Sequence, residues 1–398
     1  MMIMANSSFM IISVLLSLLH LASPSPSLKS FNVVKFGAKG DGKTDSTQAF
    51  LRAWEAACGF SGYVQIYVPH GRYVLRPLIF RGIHCKTSTI LFRIDGSIVA
   101  PDNYYELAKS NSWIVFHLVN GLHIKGGVLD AKGKSLWDCK LGHGKCPMGA
   151  QSLSFDNSKN IVVEGLTSIN SQMFHITLNA CQNVRMVGLT ILAPDESPNT
   201  DGIHMERSSQ VTITNSDFQT GDDCISMGPD NQNVWIEHIH CGPGHGISIG
   251  SLGREGDQGA LVENVTVKSV TFTGTMNGLR IKTWAKPTRG RVQNVNFLDA
   301  RMNNVLNPII IDQNYCPSGS CPAGQASGIQ ISDVTYKGIH GTSASPVALI
   351  FDCSPMHPCK GLTLQDINLS AQKTSPRSEC NHAYGRTIGS VQPSSCLR

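Results

Sequence analysis

The chain has 398 residues, 41% of them apolar, enough to bury a large core in one domain or two. Aromatic residues make up 7% and glycines number 38, which suits short strands and tight turns better than long helices. The net charge of +5 is dispersed, with no basic run or reader motif, so nucleic acid is excluded as the natural partner and an anionic ligand stays open.

Residues 1–22 hold an apolar stretch, Phe9 to Ala22, that is short for a bilayer span and leads into Ser/Pro-rich sequence. This reads as a secretory signal, although no Lys or Arg precedes the stretch. No later segment is apolar enough to cross a membrane. With no dividing linker, 23–398 reads as one mature domain. Next comes "GKTDSTQAFLRAWEAAC" (42–58), where Phe50, Trp54 and Cys58 fall on one face at helical spacing. Asp45 or Ser46 can cap this helix, and its task would be to plug one end of the fold.

From Asn120 onward a pattern repeats. A polar residue or glycine precedes alternating β-branched residues in "NGLHIKGGVL" (120–129), "QNVRMVGLTI" (182–191), "SQVTITNSDF" (209–218), "QNVWIEHIHC" (232–241) and "ENVTVKSVTF" (263–272). It continues in "QNVNFLDARM" (293–302), "SGIQISDVTY" (327–336) and "KGLTLQDINL" (360–369). A second short strand follows most copies: "HITL" (175–178), "GIHM" (202–205), "CISM" (224–227), "GISI" (246–249), "GLRI" (278–281), "PIII" (308–311) and "ALIF" (348–351). So small a unit cannot bury its apolar face alone, and stacking on its neighbours makes a continuous core. The fold class expected is all-β, a parallel β-helix with an N-terminal capping helix. Alternation places Ile176, Ile203, Ile225, Ile247, Leu279, Ile309 and Leu349 in one inward stack, and Leu178, Met205, Met227, Ile249, Ile281, Ile311 and Phe351 in another. Thr177, His204, Ser226, Ser248, Arg280, Ile310 and Ile350 then face outward. The tail after Gln372 would cover the far end.

Thirteen cysteines in a secreted chain imply disulfides. Spacing suggests Cys139–Cys146, Cys316–Cys321, Cys353–Cys359, Cys380–Cys396, Cys224–Cys241 and Cys58–Cys85, leaving Cys181 as a buried thiol. Asn264 and Asn368 begin glycosylation sequons.

"TGDDCISMG" (220–228) sets two carboxylates side by side. Asp201, Asp223 and His245 are spaced by 22 residues, each two residues before its inward isoleucine, so three successive coils stack them. Arg280 and Lys282 follow on the next coil. Acids this close resist simultaneous ionisation, so one should hold its proton above the ordinary value. Turn-forming aspartates explain one acid per coil but not the pair, the histidine and the cations. A calcium site suits clustered carboxylates but not the two adjacent cations. Paired-carboxylate hydrolysis, with one acid protonating a leaving oxygen and another activating water, accounts for all of them.

"SPNTDGIH" (197–204), "TGDDCIS" (220–226), "CGPGHGISIGSLG" (241–253) and "RIK" (280–282) together resemble the four signature segments of the polygalacturonases, family 28 glycoside hydrolases. "VVKFGAKGDGKTDSTQAF" near the N-terminus and "QNYC" (313–316) fit as well, whereas 128–140 departs from the double tryptophan usual in the family. The resemblance implies a right-handed solenoid and inverting hydrolysis of α-1,4-galacturonan. It implies Asp222 as general acid and Asp201 with Asp223 as the water-activating pair. His245 would support the acid or the substrate, Arg280 and Lys282 would hold the galacturonate carboxylate, Tyr315 would line the cleft, and Asn199 would order the site. The expected partner is pectin in the extracellular cell wall, met by a monomer that uses no metal or cofactor. The rivals are a pectin-lyase-type eliminase, a rhamnogalacturonan hydrolase and an inactive wall-binding solenoid.

Overall fold

A computed structural model describes residues 28–254, 259–317, 319, 321, 324–371 and 375–398. The expected signal segment lies outside them. Every ladder among the described residues is parallel, and the strands form sheets of 21 and 11 strands. The smaller sheet runs from Leu78–Arg81 to Arg377–Asn381 and carries one strand per coil.

Both inward stacks form as the alternation requires. Ile203 pairs with Ile176 and Ile225, Ile225 with Ile247, Ile247 with Leu279, Leu279 with Ile309, and Ile309 with Leu349. All seven are fully buried. Each contributes about 1.5–3 kcal/mol by leaving water. The second stack extends further towards the N-terminus than the repeat alone reveals. Phe80, Phe116 and Phe155 pair in register ahead of Leu178, with ring centroids 4.9 and 5.6 Å apart.

The capping helix spans Thr47–Gly59 and buries Phe50, Trp54 and Cys58. Trp54 packs 5.0 Å from Phe80, so the plug sits on the end of the aromatic stack. Ser46 holds the N-cap position without a side-chain cap bond, its hydroxyl accepting from the Lys39 amide instead, and Asp45 Oδ1 accepts from the Thr47 amide at 2.9 Å.

Three features exceed the sequence reading. Each central coil holds a third strand row, because Ser209–Gln219, Asn231–Cys241 and Ala260–Thr273 are long strands that turn at Asn215, His238 and Ser269, all with φ above +50°. Two short helices, Tyr105–Ala108 and Lys134–Leu141, interrupt the early coils. The polar residue leading each repeat builds a ladder: Asn160 donates to Asn120, Asn183 to Asn160, Asn264 to Asn233 and Asn294 to Asn264, at 2.6–3.1 Å. Asn264 of the first sequon is a rung of this ladder, Asn368 lies on the strand Cys359–Ala371, and both are exposed. The tail adds a final coil rather than a plug. Arg377–Asn381 and Ala383–Gln392 pair with the strands before them.

All six disulfides form as spaced, and Cys181 is buried and reduced. Among the described residues no helix is long and apolar enough to cross a membrane.

Phe116→Ala removes the middle ring of the aromatic stack. Its expected cost is about 3–5 kcal/mol of unfolding free energy, read from denaturant unfolding.

Candidate active site

The strands Ile203–Glu206, Ile225–Met227 and Ile247–Leu252 begin two residues after Asp201, Asp223 and His245. Strict alternation would bury the two acids in the solenoid. The chain instead turns before the strand and delivers their carboxylates to an open groove. The turn depends on glycine at two places. A Cβ on Gly202 would lie 2.4 Å from the Phe218 ring, and one on Gly246 (φ +87°) would lie 2.1 Å from the Asn277 carbonyl.

The groove has a volume of about 380 Å³, and its lining includes Asp201, Asp222, Asp223, Lys282 and Tyr315. Asp223 is the anchor, with 1% exposure. Its Oδ1 accepts from the Ser248 hydroxyl at 2.7 Å and from Arg280 Nη2 at 2.7 Å, and its Oδ2 accepts from Lys282 Nζ at 2.8 Å. Burial alone would raise this carboxyl, but Lys282 and Arg280 outweigh it and hold the group down at about 2. Asp223 is thus a fixed negative charge at any pH near neutrality.

Among the described residues Asp201 has one such partner. Ser226 donates to its Oδ2 at 2.6 Å. Burial, then the charges of Asp222 and Asp223, push it well above the ordinary carboxylate value. The proton that crowding should retain therefore sits most readily on Asp201. Asp222 stands nearer the rim. Its Oδ1 meets His245 Nδ1 at 2.9 Å and its Oδ2 accepts from Asn199 Nδ2 at 3.2 Å. Asp222, Asp223 and His245 bring ligand atoms within 4.8 Å of one another, a spacing that could suit a metal ion. Two cations already occupy the Asp223 oxygens, so the cluster is a poor cradle for calcium.

The eight expected residues converge here, with one qualification. Arg280 and Lys282 were expected to face a substrate carboxylate, and in the unliganded protein both are paired with Asp223. Each keeps further N–H donors for a ligand, since an ammonium has three and a guanidinium five. Tyr315 lies 5.3 Å beneath Lys282 Nζ and meets Trp284 edge-on.

Other residues were visible only as an outward polar row or not at all. In that row His204, Ser226, Ser248 and Arg280 are successive partners. Each serine reaches back one coil to hold an acid. His204 Nδ1 sits 2.7 Å from Ser226 Oγ and its Nε2 sits 3.2 Å from Glu206 Oε1, so a chain Glu206–His204–Ser226 ends on Asp201. The repeated spacing from Asp201 to Ser226 and from Asp223 to Ser248, 25 residues in each case, was the available signal.

Comparison with known proteins agrees with this geometry. The model of the family described as glycosyl hydrolases family 28 matches residues 58–393. A polygalacturonase of Prunus persica is 54% identical over 99% of this chain and 100% of its own. An exopolygalacturonase of Platanus acerifolia is 44% identical over 85% of this chain and 90% of its own. In fold, the chain is similar to an endo-xylogalacturonan hydrolase from Aspergillus tubingensis (TM-score 0.78, 23% identity, 92% of this chain and 99% of that one). A stacked pair of buried aspartates, a rim aspartate backed by histidine, and a family match across most of the chain place this protein among the family 28 glycoside hydrolases.

Proposed function

We propose that this groove hydrolyses the α-1,4 bond between galacturonate units of pectin. The observation that carries the reading is three carboxylates lining one open groove together with Lys282, with Arg280 bound to Asp223 beside them. The acids supply proton transfer, and the cations select an anionic sugar. The peach and plane-tree relatives bear polygalacturonase names, which points to the same substrate.

The three aspartates take different parts because their surroundings differ. Asp222, backed by His245 and Asn199 at the rim, donates the proton to the glycosidic oxygen. Asp201 is the more basic of the two buried acids and takes the proton from water as that water attacks. Asp223, with both oxygens bound by cations and a serine, is a weak base. It holds Arg280 and Lys282 in place and keeps a negative charge facing the cationic transition state. Turnover requires the form in which Asp222 carries the proton it donates and Asp201 is free to accept one. Inversion at the anomeric carbon is the expected stereochemistry, with water between Asp201 and the sugar. A signal over 1–22 and six disulfides support secretion to the extracellular wall, with the chain acting as a monomer.

Asp222→Asn is expected to lower kcat on polygalacturonate by about 10²–10⁴-fold without altering the melting curve. Reducing-end assays check this. Wild-type products should show no ultraviolet absorbance of an unsaturated sugar, and its appearance would identify an eliminase instead.

Asp201→Asn separates stability from activity. In the folded state Asp201 binds its proton more tightly than in the unfolded chain, where its value is near 3.8. The folded protein then carries more protons, so its stability falls as pH rises from 3.8 through the folded value. The asparagine variant should melt higher than wild type at pH 7 and lose hydrolysis. The gain should vanish below pH 3.8, where the carboxyl is protonated in both states.

A further inference from the structure

The sheet that carries the groove continues past the cations in strict register. Arg280 pairs with Ile310 and then Ile350, and Lys282 pairs with Asp312 and then Asp352. The same outer face therefore offers, one and two coils beyond the clamp, two isoleucines beside two aspartates. All four side chains are partly exposed. Successive rungs lie about 4.8 Å apart, within the reach of a sugar laid along the sheet.

These aspartates differ from the other acids nearby. Asp312 Oδ1 accepts from the Asn314 amide at 2.9 Å. Asp352 accepts from the Asn314 and Asn381 side chains at 2.7 and 2.9 Å. All these donors are neutral, and among the described residues neither acid has a cation within ion-pair distance. Lys282 and Arg280, the cations beside them, form their ion pairs with Asp223. On the opposite side of the centre, Glu206 is paired with Arg207 at 3.1 Å and lies beside His204. On this side, then, two carboxylates stand without an ion pair among the described residues, and they lie next to apolar surface. Burial first, then the charge of Asp352, raises the Asp312 carboxyl, against the Asn314 amide and the charges of Arg280 and Lys282.

An ionised uronate placed here would meet two carboxylates with no donor of its own and would press its charge against isoleucine. A methyl-esterified uronate has no charge to repel and brings a methyl group to the isoleucines. We propose that Asp312 and Asp352, with Ile310 and Ile350, form a charge filter that binds the sugar next to the Arg280–Lys282 clamp as its methyl ester. The inference rests on the galacturonan reading above and specifies its substrate: partially methyl-esterified pectin, with a free acid at the clamp and an ester on the neighbouring unit.

The test compares kcat/KM on polygalacturonate with that on partially methyl-esterified pectin. The double variant Asp312→Asn with Asp352→Asn should shift this ratio towards polygalacturonate by about tenfold. Ile350→Lys, which adds a cation through a different residue, should shift it the same way. Mass spectrometry of wild-type fragments should find methyl esters enriched one or two sugars from the cut. An unchanged ratio in both variants, or a random ester distribution near the cut, would overturn the filter while leaving the hydrolase reading standing. Wild-type protein that releases no reducing ends from either substrate would overturn both.

Discussion

The register of the stacked coils governs everything else in this molecule. Asp201 and Asp223 are neighbours because Ile203 and Ile225 are, and those isoleucines are neighbours because both must be buried. A one-residue slip would turn each inward residue to the outside and part the acids at once. The apolar stacks thus serve as the ruler for the active site. The serines of the outer row use the same ruler, reaching back one coil to the acid behind them.

On that frame, three copies of one side chain acquire three chemistries. Asp223 is ionised by two cations, Asp201 is pushed towards its neutral form by burial and by its neighbours, and Asp222 borders solvent with a histidine behind it. The same residue type thus stands in three different electrostatic settings. Surroundings alone make the difference. The arrangement is costly, since a fold free of catalytic demands would not leave Asp201 buried with a single serine.

Much of this was legible in the sequence. The period-two alternation fixed which residues stack, and equal 22-residue steps grouped Asp201, Asp223 and His245 before any coordinates. What escaped was local. The third strand row is hidden because its residues continue the preceding strand through a left-handed asparagine, histidine or serine, leaving no break in pattern. The helix Lys134–Leu141 is too short to show a period, and burial of Leu136 and Trp137 holds it in place. The aromatic stack lay in early coils whose repeat is irregular. Alternation alone points the acids inward, but Gly202 and Gly246 already signal a bend that starts each strand after them, as the structure has it. Crowding required a retained proton, but its home on Asp201 depends on how many donors each acid receives, which only the folded chain reveals.

The disulfides all join residues close in sequence, the widest pair being 27 apart and the narrowest 5. No link ties one end of the solenoid to the other. In an oxidising compartment each paired cysteine would meet its mate within about one coil of synthesis. Each bridge can therefore close as soon as its own stretch of chain is made, with no need to wait for the C-terminus.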